Sequence, residues 1–304
     1  MSAGSAAAAD VRVGFIGLGN MGAPMAQRLI DWPGGLVVCD ARPSATEKFA
    51  AAGATVAATA AEVARTASVI SVTVLDDAQV RDVVEGPHGI LRTARAGTVI
   101  AVHSTISDST AVELAERCRA SDVDLVDAPV SGGAPGATQG RLAVMVGGND
   151  EAFAAVRDPF RLWADLVVHA GPVGAGTRMK LARNLLHFVA FAAATEACRL
   201  AEAAGLDIRR LGEVVRHSDA VTGGAGAILW RDTTAALPPG DPWLPIMSHV
   251  RDLGEKDLGL ALALGDRLDL ELPLARLGLE RLAEGLGLER SAVTASIEQN
   301  GAHR

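Results

Sequence analysis

Short apolar runs alternate with amphipathic stretches through the first half of the chain. The runs are Val11–Ile16, Leu36–Cys39, Val69–Val74, Val99–Val102, Asp124–Ala128, Ala143–Val146 and Val167–His169. Most are rich in Val, Ile and Leu with little polar alternation, as strands covered on both faces are. Helical spacing fills the intervals at Met21–Ile30, Thr46–Ala52, Ala78–Val84, Thr110–Ala120 and Glu151–Trp163. This alternation predicts an α/β domain with a doubly wound, mostly parallel sheet.

The pattern changes at Gly171-Pro-Val-Gly-Ala-Gly176. Beyond it no stretch reads as a strand. Thr177–Ala204 is one helical pattern stopped by Gly205, and glycine is a common helix terminator. At 1.5 Å per residue it extends about 42 Å, long for one domain. Further helical patterns cover Ile208–His217, Thr222–Trp230, Ile246–Leu264, Leu274–Leu286 and Ala292–Glu298, with a proline-rich break at Leu237–Pro245. The organisation expected is a loose Ala-rich tail (1–10), a nucleotide-type α/β domain (11–174) and an all-α C-terminal domain (175–304) built on the long interdomain helix. Leu185–Ala194 is the longest mostly apolar run and is too short to span a bilayer. The tail lacks the basic start and apolar core of a signal peptide.

Chemistry enters at the first strand end. Val11–Ile16 runs into Gly17-Leu18-Gly19-Asn20-Met21-Gly22 and then a helix. Gly17 suits a tight turn, Gly19 a close approach of backbone to a pyrophosphate, and Gly22 close packing of helix on strand. Asp40 ends the next strand, 21 residues after Gly19. The strand, glycines, helix and acidic residue together predict a Rossmann-type dinucleotide site. Asp40 can accept from ribose hydroxyls and repel a 2′-phosphate, so NAD is preferred over NADP. Arg42 reads as a solvated loop charge, although it could attract such a phosphate.

The net charge of −8, with both signs interspersed, argues against nucleic acid and anionic membranes as partners. Cys39, Cys118 and Cys198 are widely spaced, fit no metal pattern, and read as small buried residues of a reducing cytoplasm.

Two further signals follow. Asp127-Ala-Pro-Val-Ser-Gly-Gly-Ala-Pro-Gly136 follows a strand end, and its Ser131, Gly132 and Gly133 offer a hydroxyl and open N–H groups for a small carboxylate. A plain β-turn is the competing reading. Lysine is also scarce: Lys48, Lys180 and Lys256 are the only lysines among 28 cationic side chains. A desolvated Lys can lose its proton where Arg cannot. Lys180 opens the long helix, and Asn184 shares its face one turn on. Such a pair can polarise a carbonyl and move a proton at its oxygen.

Together these motifs resemble the β-hydroxyacid dehydrogenase family, from about Val11 to Leu264. Gly14–Gly22 is similar to the family's cofactor signature, Leu75-Asp76 to the loop passing the cofactor, and Ser104-Thr105-Ile106 to its Ser-Thr turn. Asp127–Gly148 is similar to its substrate segment, Gly174–Asn184 to its catalytic helix, and Lys256-Asp257-Leu258 to its later Lys-Asp motif. The resemblance implies Lys180 as general acid/base and Ser131, Gly132, Gly133 and Asn184 as substrate contacts. It places Thr105 and Lys256 near the cofactor, and it implies homodimers or homotetramers. Arg183 stands where the family usually has a first asparagine. It could depress the Lys180 pKa, bind a second anionic group, or point elsewhere. Trp230, Trp243 and Met247 are expected mostly in core packing. The expected activity is hydride transfer between NAD(P) and a small β-hydroxy acid. The alternatives are a C=N reductase, against which Lys180 speaks, and a silent dinucleotide-binding protein.

Overall fold

The computed structural model describes residues 11–229 and 231–289. Six strands run parallel: β1 (Val13–Ile16), β2 (Leu36–Cys39), β3 (Thr55–Val56), β4 (Val69–Val72), β5 (Val99–Val102) and β6 (Asp124–Asp127). Their order is β3-β2-β1-β4-β5-β6. The strand order therefore reverses between β1 and β4, the crevice where doubly wound sheets bind ligands. Three more strands extend the sheet: β7 (Val130–Ser131), β8 (Leu142–Gly147) and β9 (Ala164–Gly171). β8 is antiparallel to β6 and β7 and parallel to β9.

Every residue of β1, β2, β4 and β5 is buried. The twofold alternation of a strand then feeds two cores. Phe15, Val99 and Ala101 join Met25, Leu29, Phe160 and Trp163 on one face. Ile16, Ile100 and Val102 join Val63, Ile90 and Leu114 on the other. The covering helices are α1 (Gly22–Gln27), α2 (Glu47–Ala51), α3 (Ala60–Ala64), α4 (Asp77–Glu85), α5 (Asp108–Arg119), α6 (Gly133–Gln139) and α7 (Asp150–Phe160). The helical elements beyond them are α8 (Ala175–Ala203), α9 (Ile208–Thr222), α10 (Leu244–Arg267) and α11 (Pro273–Gly285).

The chain divides into one compact unit ending at Asn184 and another beginning at Leu185, so α8 contributes to both. No strand occurs among the described residues of the second unit. There α10 packs on α11, and Glu196 of α8 accepts from the N–H groups of Leu274 (3.0 Å) and Ala275 (2.8 Å), capping the start of α11. Gly205 ends α8 at φ 75°, with the Leu206 N–H returning to the Ala201 carbonyl, a Schellman-type stop. No described helix is long and apolar enough to cross a membrane.

Several elements differ from the sequence reading. β3 and β7 are two-residue strands, too short to show a period. α3 has no polar–apolar contrast to reveal it, and α1 stops at Gln27 rather than Ile30. The Arg28 and Leu29 N–H groups instead bond three residues back, to Met25 and Ala26. This tightens the chain into a turn that ends at Gly35 (φ 83°) before β2. The helix expected over Thr222–Trp230 is a 3₁₀ run, Gly224–Ile228, because Gly223 and Gly224 take positive φ and end α9. Trp230 and the expected helix Ala292–Glu298 lie outside the described residues. Met247 is buried, whereas Trp243 is exposed, so core packing holds for the first and not the second.

Candidate active site

The carboxyl ends of β1, β2, β4 and β5 gather one set of groups. Gly17 (φ 91°) donates its N–H to the Cys39 carbonyl at 2.9 Å, and a Cβ on it would run into the Thr73 carbonyl. A Cβ on Gly22 would strike the Gly17 carbonyl and stand 3.1 Å from Phe15. The fold itself requires these two glycines. Gly19 is different: a Cβ there would meet nothing within 4 Å. Its backbone is approachable from outside, as a turn that takes a pyrophosphate needs. Leu18 is buried and Asn20 exposed, with Met21 between these extremes at the helix start.

Asp40 braces this turn. Its Oδ2 accepts from the Leu18 N–H at 2.6 Å, and its Oδ1 accepts from the Arg42 N–H at 2.8 Å. The Arg42 guanidinium adds an ion pair at 3.4 Å while remaining largely in solvent. Burial pulls the Asp40 carboxyl upward, but the bonds from Leu18 and Arg42 outweigh it and hold the group below its usual range. Oδ1 takes both Arg42 donors, while Oδ2 keeps a second lone pair for a hydroxyl. The turn and Asp40 thus fit a dinucleotide. Leu75 is 80% exposed beyond β4. Asp76 caps α4 through the Gln79 N–H. Ser104, buried after β5, accepts from the Val74 N–H (3.0 Å) and donates to the Val74 carbonyl (2.6 Å). It fixes the strand ends from which Leu75 and the exposed Thr105 project.

At the β6 end the key group is one the sequence reading passed over. Asp127 is 1% exposed. Its Oδ1 accepts from Gly174 N–H at 2.7 Å and its Oδ2 from Thr177 N–H at 2.6 Å. Burial pushes this carboxyl above its usual range, and the Thr177 and Gly174 bonds offset that only in part. The carboxylate satisfies N–H groups that a helix start leaves unpaired and faces the positive end of α8. Glycines permit the contact: a Cβ on Gly176 would collide with the Met145 carbonyl, and one on Gly147 with Asp127. Arg178 adds an ion pair to Asp108 of α5 at 2.7 Å. The visible signal was a lone acidic residue ending an apolar run.

Lys180 follows three residues after Thr177, about 4.5 Å along the helix. Its side chain is buried at 8% exposure. Burial, and then the neighbouring Arg183 charge, lower its pKa from the ordinary lysine range. Arg183 donates to Asn184 Oδ1 at 3.3 Å. The Arg183 charge thus bears on Lys180, and its guanidinium keeps donors beyond the Asn184 bond.

Ser131–Gly133 does not form the open loop expected. Ser131 pairs with Ala143 in β7–β8, and Gly133 begins α6. Gly132 (φ 128°) and Gly133 (φ 65°) make the turn between strand and helix. Asp127 pairs with Gly147 on the same strand, so Ser131 lies four residues, about 13 Å, along β8 from the point where α8 is fastened. Lys256 belongs to the second unit, where it pairs with Asp257 at 3.0 Å. Cys39 and Cys118 are buried, their thiols pushed up to about 11 and about 12 chiefly by burial. Cys198 is only half-buried. Among the described residues no group of three His, Cys, Asp or Glu side chains is placed to hold a metal ion.

Comparison with known proteins agrees with this geometry. Residues 12–171 match the family model described as the NAD binding domain of 6-phosphogluconate dehydrogenase. Residues 174–235 match that described as NAD-binding of NADP-dependent 3-hydroxyisobutyrate dehydrogenase. An uncharacterized oxidoreductase of Mycobacterium tuberculosis is 59% identical over 274 residues, 90% of this chain and 92% of that protein. The mitochondrial 3-hydroxyisobutyrate dehydrogenase of Mus musculus is 34% identical over 259 residues, 84% of this chain and 76% of that protein. The crystal structure of an oxidoreductase from Mycobacterium avium 104 matches with a TM-score of 0.88 at 56% identity, covering 91% of this chain and 99% of that one. With a glycine turn shaped for a dinucleotide and these matches over most of its length, the chain belongs to the β-hydroxyacid dehydrogenase family, as an oxidoreductase with a nicotinamide-dinucleotide-binding domain.

Proposed function

We propose that the protein interconverts a small β-hydroxy acid, of the 3-hydroxyisobutyrate kind, and its semialdehyde or keto acid, with Lys180 as general acid/base. The carrying observation is the placement of Lys180. Its amine is desolvated on a helix whose first turn is fastened by Asp127 to the carboxyl edge of the sheet. A desolvated lysine of lowered pKa gives up and takes back a proton more readily than an exposed one.

In the oxidative direction the carbinol O–H bond breaks and its proton passes to Lys180 Nζ. The C–H bond breaks with its electron pair leaving as hydride, and the carbon–oxygen double bond forms. The nicotinamide, when bound, supplies the hydride acceptor. Asn184, on the face of Lys180, orients the reacting oxygen. Ser131 and the N–H groups of Gly132 and Gly133 hold the substrate carboxylate. Gly17, Leu18, Gly19, Asn20, Met21, Gly22, Asp40, Leu75, Asp76 and Thr105 form the dinucleotide seat, and family resemblance adds Lys256. We infer NAD rather than NADP. The Asp40 charge opposes a 2′-phosphate, and Arg42 is already paired with it. Homodimer or homotetramer assembly is part of the proposal, supported by the apolar side chains α8 exposes at Leu185, Phe188 and Phe191. A cytoplasmic location suits three free cysteines.

The test is nicotinamide absorbance near roughly 340 nm across hydroxy acids, semialdehydes and cyclic imines, with NAD and NADP in parallel. Lys180→Ala should lose about 10²–10⁴-fold in turnover while still binding NAD. Near-normal turnover of that variant excludes the mechanism. Turnover confined to cyclic imines would replace the reading by a C=N reductase. Silence with tight NAD binding would leave a dinucleotide-binding protein.

A further inference from the structure

Two cations stand within one turn of α8 with no protein carboxylate between them. Lys180 makes no hydrogen bond or ion pair among the described residues, and no carboxylate figures among the influences on its charge. Arg183 lies three residues on, and its one recorded bond is to the Asn184 side-chain oxygen at 3.3 Å. Arg42, Arg81, Arg117 and Arg178 of the same unit each pair with a carboxylate, whereas Lys180 and Arg183 do not. In a chain with net charge −8, two neighbouring cations without an acidic partner form a local positive field.

The Arg183–Asn184 bond also sets direction. With its oxygen turned to the guanidinium, the Asn184 amide presents its NH₂ donors away from Arg183. Lys180, the Asn184 NH₂ and the remaining donors of Arg183 then offer N–H groups within about one turn of α8. One carboxylate held at Ser131–Gly133 would leave these donors uncompensated. A guanidinium fork is suited to bind a second planar anion at two points.

We propose that Arg183 and Asn184 form a second anion subsite beside Lys180, making the preferred substrate a β-hydroxy acid that carries two anionic groups. This deepens the dehydrogenase reading and rests on it. The second group is a carboxylate or a phosphate, which share the same recognition chemistry.

The experiment separates this proposal from its parent. Arg183→Gln keeps reach and polarity without the charge, and Arg183→Lys keeps the charge without the fork. The exposed position makes both safe for folding. Kinetics compare two-anion hydroxy acids, one set with a second carboxylate and one with a phosphate, against one-anion analogues. For wild type, kcat/KM should favour the two-anion class. Arg183→Gln should lower the ratio of the two classes by roughly 10- to 100-fold, the scale of a hydrogen bond to a charged group, and Arg183→Lys by less. Taking the ratio cancels the effect of Arg183 on Lys180, which acts on both classes.

Binding supplies a readout without turnover. Calorimetry with malonate and propionate on the NADH-loaded protein should show malonate tighter by roughly 10-fold or more, and Arg183→Gln should abolish the difference. Equal affinity of the two acids in wild type overturns the proposal, as does a class ratio unchanged in Arg183→Gln. If one-anion hydroxy acids are oxidised and malonate is not preferred, the subsite fails and the dehydrogenase stands. If malonate is preferred and no hydroxy acid is turned over, the subsite stands and the dehydrogenase reading fails.

Discussion

The unit ending at Asn184 and the unit beginning at Leu185 treat their apolar residues in opposite ways. The first sends Phe15, Phe49, Phe160, Trp163 and a set of Val and Ile side chains into two fully buried clusters, one on each face of the sheet. Among the described residues of the second, buried apolar residues are few: Ala201, Met247, Leu272, Leu279, Ala283 and Leu286. Leu185, Phe188, Val189 and Phe191 of α8 and Val214, Val215 and Val221 of α9 remain exposed. On α8 these positions, with Leu186, spread around most of the helix. A helix apolar on nearly every side belongs inside something, and contiguous exposed apolar surface of this kind marks an interaction face. The first unit carries its own core. For the second, the proposed homodimer or homotetramer would supply the missing cover from another copy.

The strongest way to break that contrast is to charge the exposed face. Leu185→Asp combined with Phe188→Asp should convert the assembly to monomers in sedimentation or light scattering. Four apolar side chains across a twofold interface, at roughly 2 kcal/mol each, set the scale at about 8 kcal/mol. A wild-type chain that is already monomeric at micromolar concentration would remove the premise.

A second test addresses the first unit alone. His103 is buried among Phe15, Phe160 and Trp163, with its ring nitrogens bonded to the Ala128 carbonyl (2.8 Å) and Ser71 Oγ (3.0 Å). Burial takes its pKa from the ordinary 6.5 down to about 4, with only partial opposition from the Ala128 bond. On acidification the unfolded chain takes up this proton near pH 6.5 while the native state refuses it until about pH 4. The unfolded state holds more protons across that window, so stability falls as pH falls. The full loss is about 3 kcal/mol. Asp40, Asp77 and Asp108, held low by their partners, act in the same direction at more acid pH. Denaturant midpoints between pH 7 and pH 4.5 should therefore slope for wild type and flatten in His103→Gln. A flat wild-type profile would show that the ring is protonated at no cost.

What could be read ahead of the structure was what local spacing encodes. Gly17, Gly19 and Gly22 lie within six residues, and Asp40 sits one strand on, so the cofactor end was visible. Strands buried on both faces announced themselves as unbroken Val and Ile runs. The substrate end was visible in its residue types and not in its form. Gly133–Gln139 contains two glycines and a proline and reads as a turn, yet it is a helix holding the fully buried Ala137. Tertiary contact overrides weak propensity there. Asp127 was legible as a residue but its partners were not, since Gly174 and Thr177 lie 47 and 50 residues away. The Glu196 cap spans 78 residues. Pairings at that range have no period to betray them.

Those two carboxylates allow the finest form of the comparison, because each caps a helix start and they sit in different units. Asp127→Asn leaves one backbone N–H of α8 facing an amide NH₂, and should cost about 2 kcal/mol. Glu196→Gln does the same at α11 and should cost about 1 kcal/mol. Their effects on turnover should diverge. The helix that Asp127 fastens carries Lys180 one turn later, and small displacements of a reacting group are costly. Asp127→Asn should therefore lower kcat about 10-fold or more, with cofactor affinity retained. Glu196→Gln should mainly raise hydrogen exchange at the first turn of α11. An Asp127→Asn protein with wild-type kcat, or the two variants losing kcat in equal measure, would show that the anchor at the sheet edge sets stability without setting the position of the lysine.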